Sequence, residues 1–176
     1  ELLAGRRVVN VNSTANGGGV AELLKTLLGY VRHAGVDVEW LVIDADPEFF
    51  TITKRIHNGL YGGPGDGLEL DDRERRAYER TLARNLPSLA AAVRPGDIVV
   101  VHDPQPAGLI PALVDLEATV IWRCHVGIEE TNEWSERAWA LVRRYVEPAQ
   151  AFVFSRAGFA PAWLAPDRLE VIQPSI

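Results

Sequence analysis

Two rhythms of apolar residues alternate along the chain. Short β-branched or aromatic runs at 7–11, 36–43, 98–101, 119–123, 151–154 and 169–172 read as strands, most of them apolar throughout. Between them the apolar positions fall at helical spacing. Val20, Leu23, Leu24, Leu27, Leu28 and Val31 form one such stripe, and Gly35 is the expected stop of that helix. Pro47 suits the first position of a shorter helix that continues through Phe49, Phe50, Ile52 and Ile56. Asp71 opens a charged helix with the stripe Tyr78, Leu82, Leu86 and Leu89, which Pro87 is expected to bend or split. A short helix is predicted over 107–116. Another carries Trp134, Ala138, Leu141, Val142 and Tyr145, and a short helical segment precedes the last strand. The segment 58–67, with five glycines and a proline, predicts a mobile loop. The resulting order, β-α-β-α-α-β-α-β-α-β-α-β, implies an α/β fold. It is a Rossmann-like parallel sheet with helices on both faces, in a single domain over 1–176.

In open sheets of this kind ligands bind beyond the carboxyl ends of the strands. Three polar clusters follow predicted strands: residues 12–19, 102–105 and 123–130. Gly17, Gly18 and Gly19 lie between a strand and a helix. Backbone N–H groups at such a helix start bind phosphate, and a plain tight turn is the competing reading. The string is neither the dinucleotide G-x-G-x-x-G nor a P-loop, since no lysine follows at the required spacing. His102, Asp103 and Gln105 sit among Pro104 and Pro106, which stiffen the loop. Asp103 there serves proton transfer or sugar hydroxyls, or else caps the next helix or bonds loop amides. Arg123, Cys124 and His125 end a strand. His125 is a candidate partner for a substrate hydroxyl or a satisfied structural histidine, and Cys124 reads as a buried small apolar residue. Asn132 suits a helix cap, and Trp134 either core or a sugar platform.

Composition narrows the classes. Hydrophobic residues make up 47% and charged residues 24% of 176 residues, an ordinary globular mix of single-domain size. Eighteen basic residues against 24 acidic ones leave a net charge of −6, which speaks against a nucleic-acid footprint. Arg73, Arg75 and Arg76, like Arg143 and Arg144, have acids among or beside them and read as solvated helix faces. No apolar run approaches the roughly 20 residues of a membrane span, and no signal-peptide pattern is visible. The lone Cys124 fits a reducing, cytoplasmic setting. The four histidines lack metal-ligand spacing, so no metal is expected; His33 and His57 read as surface or packing residues. The absence of methionine, and a strand that runs into Pro174-Ser175-Ile176 and stops, suggest a piece of a longer protein.

Several strings taken together carry a resemblance. Asn10-Val11-Asn12-Ser13-Thr14-Ala15, Gly17-Gly18-Gly19-Val20-Ala21-Glu22, Trp40-Leu41-Val42-Ile43, Phe49-Phe50, Thr53-Lys54 and Ile56-His57-Asn58-Gly59-Leu60 look like the N-terminal signature of trehalose-forming GT-B glycosyltransferases. So do Val101-His102-Asp103-Pro104-Gln105-Pro106-Ala107-Gly108-Leu109 and Trp122-Arg123-Cys124-His125, the most specific of the set. Pro174-Ser175-Ile176 resembles the passage to a second domain. The family is trehalose synthase of the glycosyltransferring type, with trehalose phosphorylases as relatives.

The resemblance implies a two-domain enzyme of which this chain is the acceptor-side half, the C-terminal nucleotide-binding domain being absent. Glucose would pass from a nucleotide-diphosphate glucose to the anomeric hydroxyl of a second glucose, with retention, giving trehalose. It implies no tightly bound cofactor and no divalent metal. By the same resemblance Gly17, Gly18 and Gly19 would face the donor pyrophosphate. His125 would meet the donor glucose near its 6-hydroxyl. Asp103, with His102 and Gln105, would orient a sugar, and Arg123 and Trp134 would line the acceptor pocket. The isolated chain is then expected to have no useful turnover. Removal of a partner domain would leave an apolar face open to homodimerisation. A non-catalytic sugar- or anion-binding module is the reading from a different class.

Overall fold

The computed structural model describes residues 5–67 and 70–173, so the closing string Pro174-Ser175-Ile176 lies outside the described residues. Six parallel strands, β1 (Val8–Asn12), β2 (Val38–Val42), β3 (Ile98–His102), β4 (Thr119–Cys124), β5 (Ala151–Phe154) and β6 (Leu169–Val171), form one sheet in the order β2-β1-β3-β4-β5-β6. The chain leaves β1 toward one edge and returns across it to β3. The topological switch point therefore lies between β1 and β3.

Among the described residues five α-helices lie between the first five strands, and only 3-10 turns link β5 to β6. α1 (Gly19–His33) starts after Gly18, whose φ of 105° suits glycine. α2 (Pro47–Leu60) has Pro47 at its first position, and the Asp46 carboxylate accepts the Phe49 amide at 2.9 Å. α3 (Asp72–Ala92) opens with an Asp71–Glu74 capping box. α4 (Ile110–Asp115) follows a 3-10 turn over Ala107–Leu109, so the helix expected at 107–116 is tighter in its first turn. α5 (Glu133–Val146) is capped by Asn132, which accepts the amides of Trp134 and Ser135, as its residue type suggested.

Two expectations need correction. Pro87 does not split α3, which runs unbroken past it. A proline removes one backbone bond, and burial of Asn85 and Leu89 on either side of it holds the neighbouring turns. The glycine-rich loop is also shorter than 58–67, because α2 continues through Leu60. Gly59 belongs to the helix, where it lets α2 lie against α5: a Cβ there would stand 2.8 Å from the Ala138 Cβ.

Coverage of the sheet is lopsided. Val9, Val11, Val99, Val101, Trp122 and Phe152 point to one face and join the main core beneath α2, α3, α4 and α5. The other face is covered by α1, through a small separate cluster of Leu24, Leu28 and Val38. Val100, Ile121 and Ala151 on that face stay half-buried. At the amino-terminal edge Arg7 pairs with Glu39 and Asp97, both at 2.6 Å, and also bonds the Ala92 carbonyl. The carboxyl-terminal edge carries the polar residues.

Candidate functional site

Strand register assembles the cluster. Asn10 and Asn12 occupy alternate positions of β1, His102 ends β3 beside Arg123 of β4, and His125 follows one residue after β4. All lie at the carboxyl ends of β1, β3 and β4, around the switch point. His102 is 2% exposed. Its Nε2 lies 2.9 Å from Asn10 Oδ1 and its Nδ1 lies 3.2 Å from His125 Nε2. The two imidazoles are nearly parallel, at 17°. Burial, with His125 and the Arg123 guanidinium beside it, lowers the pKa of His102 to about 3, and burial with Arg123 lowers that of His125 to about 4, so both rings are neutral at physiological pH.

Asp103 follows β3 in the left-handed region, with φ of 64°, a conformation aspartate tolerates better than most residues. Its amide donates to the Arg123 carbonyl at 2.9 Å and its Oδ1 accepts the His125 amide at 2.7 Å. Asp103 therefore does not cap the helix after it. It ties the end of β3 to the end of β4. Burial pushes its carboxyl up to about 6, against the His125 amide and Arg123, which lower it. Above that pH the group is a carboxylate, with Oδ2 free of protein partners among the described residues. Arg123 is half-buried, and its guanidinium has no hydrogen-bond partner among the described residues. Loss of hydration lowers its pKa, yet it remains a cation beside two neutral rings and one carboxylate.

The loop after β3 is held from beneath. The Trp122 indole N–H donates to the Asp103 carbonyl at 3.0 Å. The buried Tyr78 hydroxyl donates to the Pro104 carbonyl at 3.1 Å and accepts the Gly108 amide at 2.8 Å. Polar side chains on this loop are thus preset rather than recruited. After β1 the Trp40 indole donates to Asn12 Oδ1 at 2.7 Å, and Asn12 in turn donates to the Thr14 carbonyl at 2.8 Å. These bonds anchor the start of the exposed glycine loop. Gly17 and Gly18 both have positive φ there, and open space surrounds them at the start of α1. That leaves the first amides of α1 open to an anion.

Not every candidate gathers at this cluster. Gln105 faces a cavity of about 520 Å³ together with Phe50, Thr53, Lys54, Asn58 and Asp66. Trp134 lines a different cavity, of about 300 Å³, between α2 and α5, where Arg137 stacks 5.1 Å over its ring. Cys124 is fully buried, with burial raising its thiol. Asn10 and Lys54 join the site residues only in the folded chain, Asn10 against His102 and Lys54 in the cavity that Gln105 faces. The signal for Asn10 was present, an amide alternating with Asn12 in an otherwise apolar strand.

Comparison with known proteins places this geometry. Residues 10–161 match the family model described as "Trehalose synthase, N-terminal domain". The chain is 35% identical over 176 residues to a trehalose synthase of Pyrococcus horikoshii, covering all of this chain and 40% of that protein. It is 29% identical over 174 residues to a trehalose phosphorylase of Pleurotus sajor-caju, covering 92% of this chain and 23% of that protein. It thus spans less than half the length of these relatives. Among solved structures, the α,α-trehalose-phosphate synthase (UDP-forming) of Burkholderia vietnamiensis superposes with a TM-score of 0.65 at 15% identity, over 88% of this chain and 40% of that one, which establishes a shared fold. The resemblance carried by the strand-end strings holds, and this chain belongs to the trehalose synthase N-terminal domain family.

Proposed function

We propose that this chain is the acceptor-side half of a retaining GT-B glycosyltransferase. The enzyme would move glucose reversibly from a nucleotide-diphosphate glucose to the anomeric hydroxyl of a second glucose. The observation that carries this reading is the convergence of Asn10, His102, Asp103, Arg123 and His125 at the β1/β3 switch point of a chain in this family. The cluster offers neutral imidazoles, one carboxylate and one cation, a set suited to a polyhydroxylated ligand.

In this reading Gly17, Gly18 and Gly19 receive the donor pyrophosphate on backbone amides, which a chain of net charge −6 needs, since its overall field repels phosphate. His125 meets the donor glucose near its 6-hydroxyl. Asp103 and His102 orient the reacting sugar, with Arg123 beside them and Gln105 and Trp134 placed further out. A nucleotide-binding domain supplies the remaining donor contacts, and catalysis comes from positioning and fixed dipoles. That the similarly folded Burkholderia enzyme is UDP-forming supports a nucleotide-sugar donor. The Pleurotus relative favours a second reading, in which inorganic phosphate replaces the nucleotide.

The test compares this chain with the same chain joined to a nucleotide-binding domain of a trehalose synthase. Each is supplied with ADP-glucose or UDP-glucose plus glucose, and separately with trehalose plus phosphate. We expect trehalose from the joined protein and none from the isolated chain. Trehalose made by the isolated chain overturns the half-site reading. Glucose 1-phosphate from trehalose and phosphate, without turnover of sugar nucleotide, decides for the phosphorylase.

A further inference from the structure

The contacts of His102 and His125 leave little freedom in where their protons sit. Both rings are neutral, so each carries one N–H. His102 Nε2 faces Asn10 Oδ1 at 2.9 Å, and an amide oxygen only accepts, so the His102 proton is on Nε2. His102 Nδ1 is then a bare lone pair. It lies 3.2 Å from His125 Nε2, so the proton in that gap belongs to His125. With Nε2 protonated, the neutral His125 ring has an unprotonated Nδ1. That atom has no protein partner among the described residues, and His125 is less buried than His102.

We propose that Asn10 and His102 are positioning residues that lock His125 in one neutral tautomer, with its Nδ1 held as an acceptor for a hydroxyl of the bound sugar. This rests on the sugar-site reading above for the identity of the ligand but not for the tautomer. The lock runs Asn10 Oδ1, His102 Nε2–H, His102 Nδ1, His125 Nε2–H, His125 Nδ1. Every link except the last is protected from water by the burial of Asn10 and His102. The Arg123 cation, close enough to act on both rings, opposes a second proton on either and so keeps both neutral, while Asn10 Oδ1 sets the direction of the bonds. The hydroxyl selected is one that donates to His125. A ligand group with no proton to give, such as an ether oxygen or a methoxy substituent at that place, is rejected because two lone pairs would face each other.

The chain's four histidines make the test direct. Nitrogen-15 spectra of the histidine-labelled chain at pH 7 are expected to show both His102 and His125 with Nε2 protonated and Nδ1 bare. Reversed tautomers, with Nδ1 protonated on both rings, overturn the lock, and the unmodified chain suffices to show it. Asn10→Leu removes the accepting oxygen and keeps the branched shape of the side chain. It should turn the His125 signals into those of mixed tautomers and weaken glucose binding roughly five- to tenfold, one neutral hydrogen bond's worth. Unchanged His125 tautomer signals in a folded Asn10→Leu chain also overturn the lock. Titration with glucose and with trehalose should move the His125 Nδ1 resonance. If the tautomers are as expected and neither sugar moves that resonance, the hydroxyl-acceptor role and the sugar-site reading fail together while the lock stands.

Discussion

Asp103 shows a side chain held against its own stability. Its carboxyl is raised from 3.8 to about 6, so the folded state holds the proton more tightly than the unfolded state. The sign follows: stability falls as pH rises from about 4 to about 6, and above that the full cost of the buried charge is present. Asn fits the left-handed backbone and keeps an oxygen for the His125 amide. Asp103→Asn should therefore stabilise the chain by on the order of 1–3 kcal/mol at pH 7 and by almost nothing at pH 4, read from urea midpoints at the two pH values. The same variant should bind glucose about tenfold or more weakly, because a charge-assisted acceptor is lost. Equal stabilisation at both pH values sinks the charge argument. His102 and His125 act in the opposite direction. Their folded values lie below the ordinary 6.5, so the unfolded state takes up protons first and stability falls as pH drops through 6.5 toward 4 and 3. With the opposing trend of Asp103 removed, the Asp103→Asn chain should lose stability on acidification more steeply than the parent. The strings around these residues were legible in the sequence because of their position after apolar strands. Asn10 stands out in the sequence only as an amide in an apolar strand, and its role is not legible there because its partner lies 92 positions away.

At the scale of elements, two glycines in helices separate packing from propensity. Gly59 of α2 is buried where a Cβ would stand 2.8 Å from Ala138 Cβ and 3.3 Å from the Trp134 carbonyl. Gly59→Ala should cost about 1–3 kcal/mol despite alanine's better helix propensity, because α2 and α5 must part. Gly29 of α1 is exposed, with open space around it and ordinary helical backbone. Gly29→Ala should gain about 0.5–1 kcal/mol. Thermal unfolding of the pair should shift in opposite directions, and a stabilised Gly59→Ala chain contradicts the close approach. The order of strands and helices was readable because the apolar period switches cleanly between continuous runs and helical stripes. The end of α2 was not. Glycine is a stop signal by its backbone freedom, and only the partner helix reveals that Gly59 is there for lack of a side chain. Pro87 misled in the same way. Its missing bond is a local cost, and burial of Asn85 and Leu89 on the same helix outweighs it.

For the molecule as a whole, the uneven covering of the sheet has a consequence in time. α1 is fastened by Leu24, Leu28 and Val38, a cluster separate from the core under the other four helices. Fewer buried contacts mean a smaller free energy of local opening, so the amides of α1 should exchange with deuterium by sub-global opening while β3 and β4 wait for global unfolding. Equal protection in α1 and in those strands would contradict this. The glycine loop is the amino-terminal end of that same helix. A phosphate-bearing ligand held on its amides can bind only while α1 is docked, so it slows α1 exchange by the factor 1 + [L]/Kd, and it slows β3 and β4 by the same factor, because global unfolding undocks α1 as well. The helix with the weakest hold on the sheet is thus a clock for the occupancy of the loop in front of it.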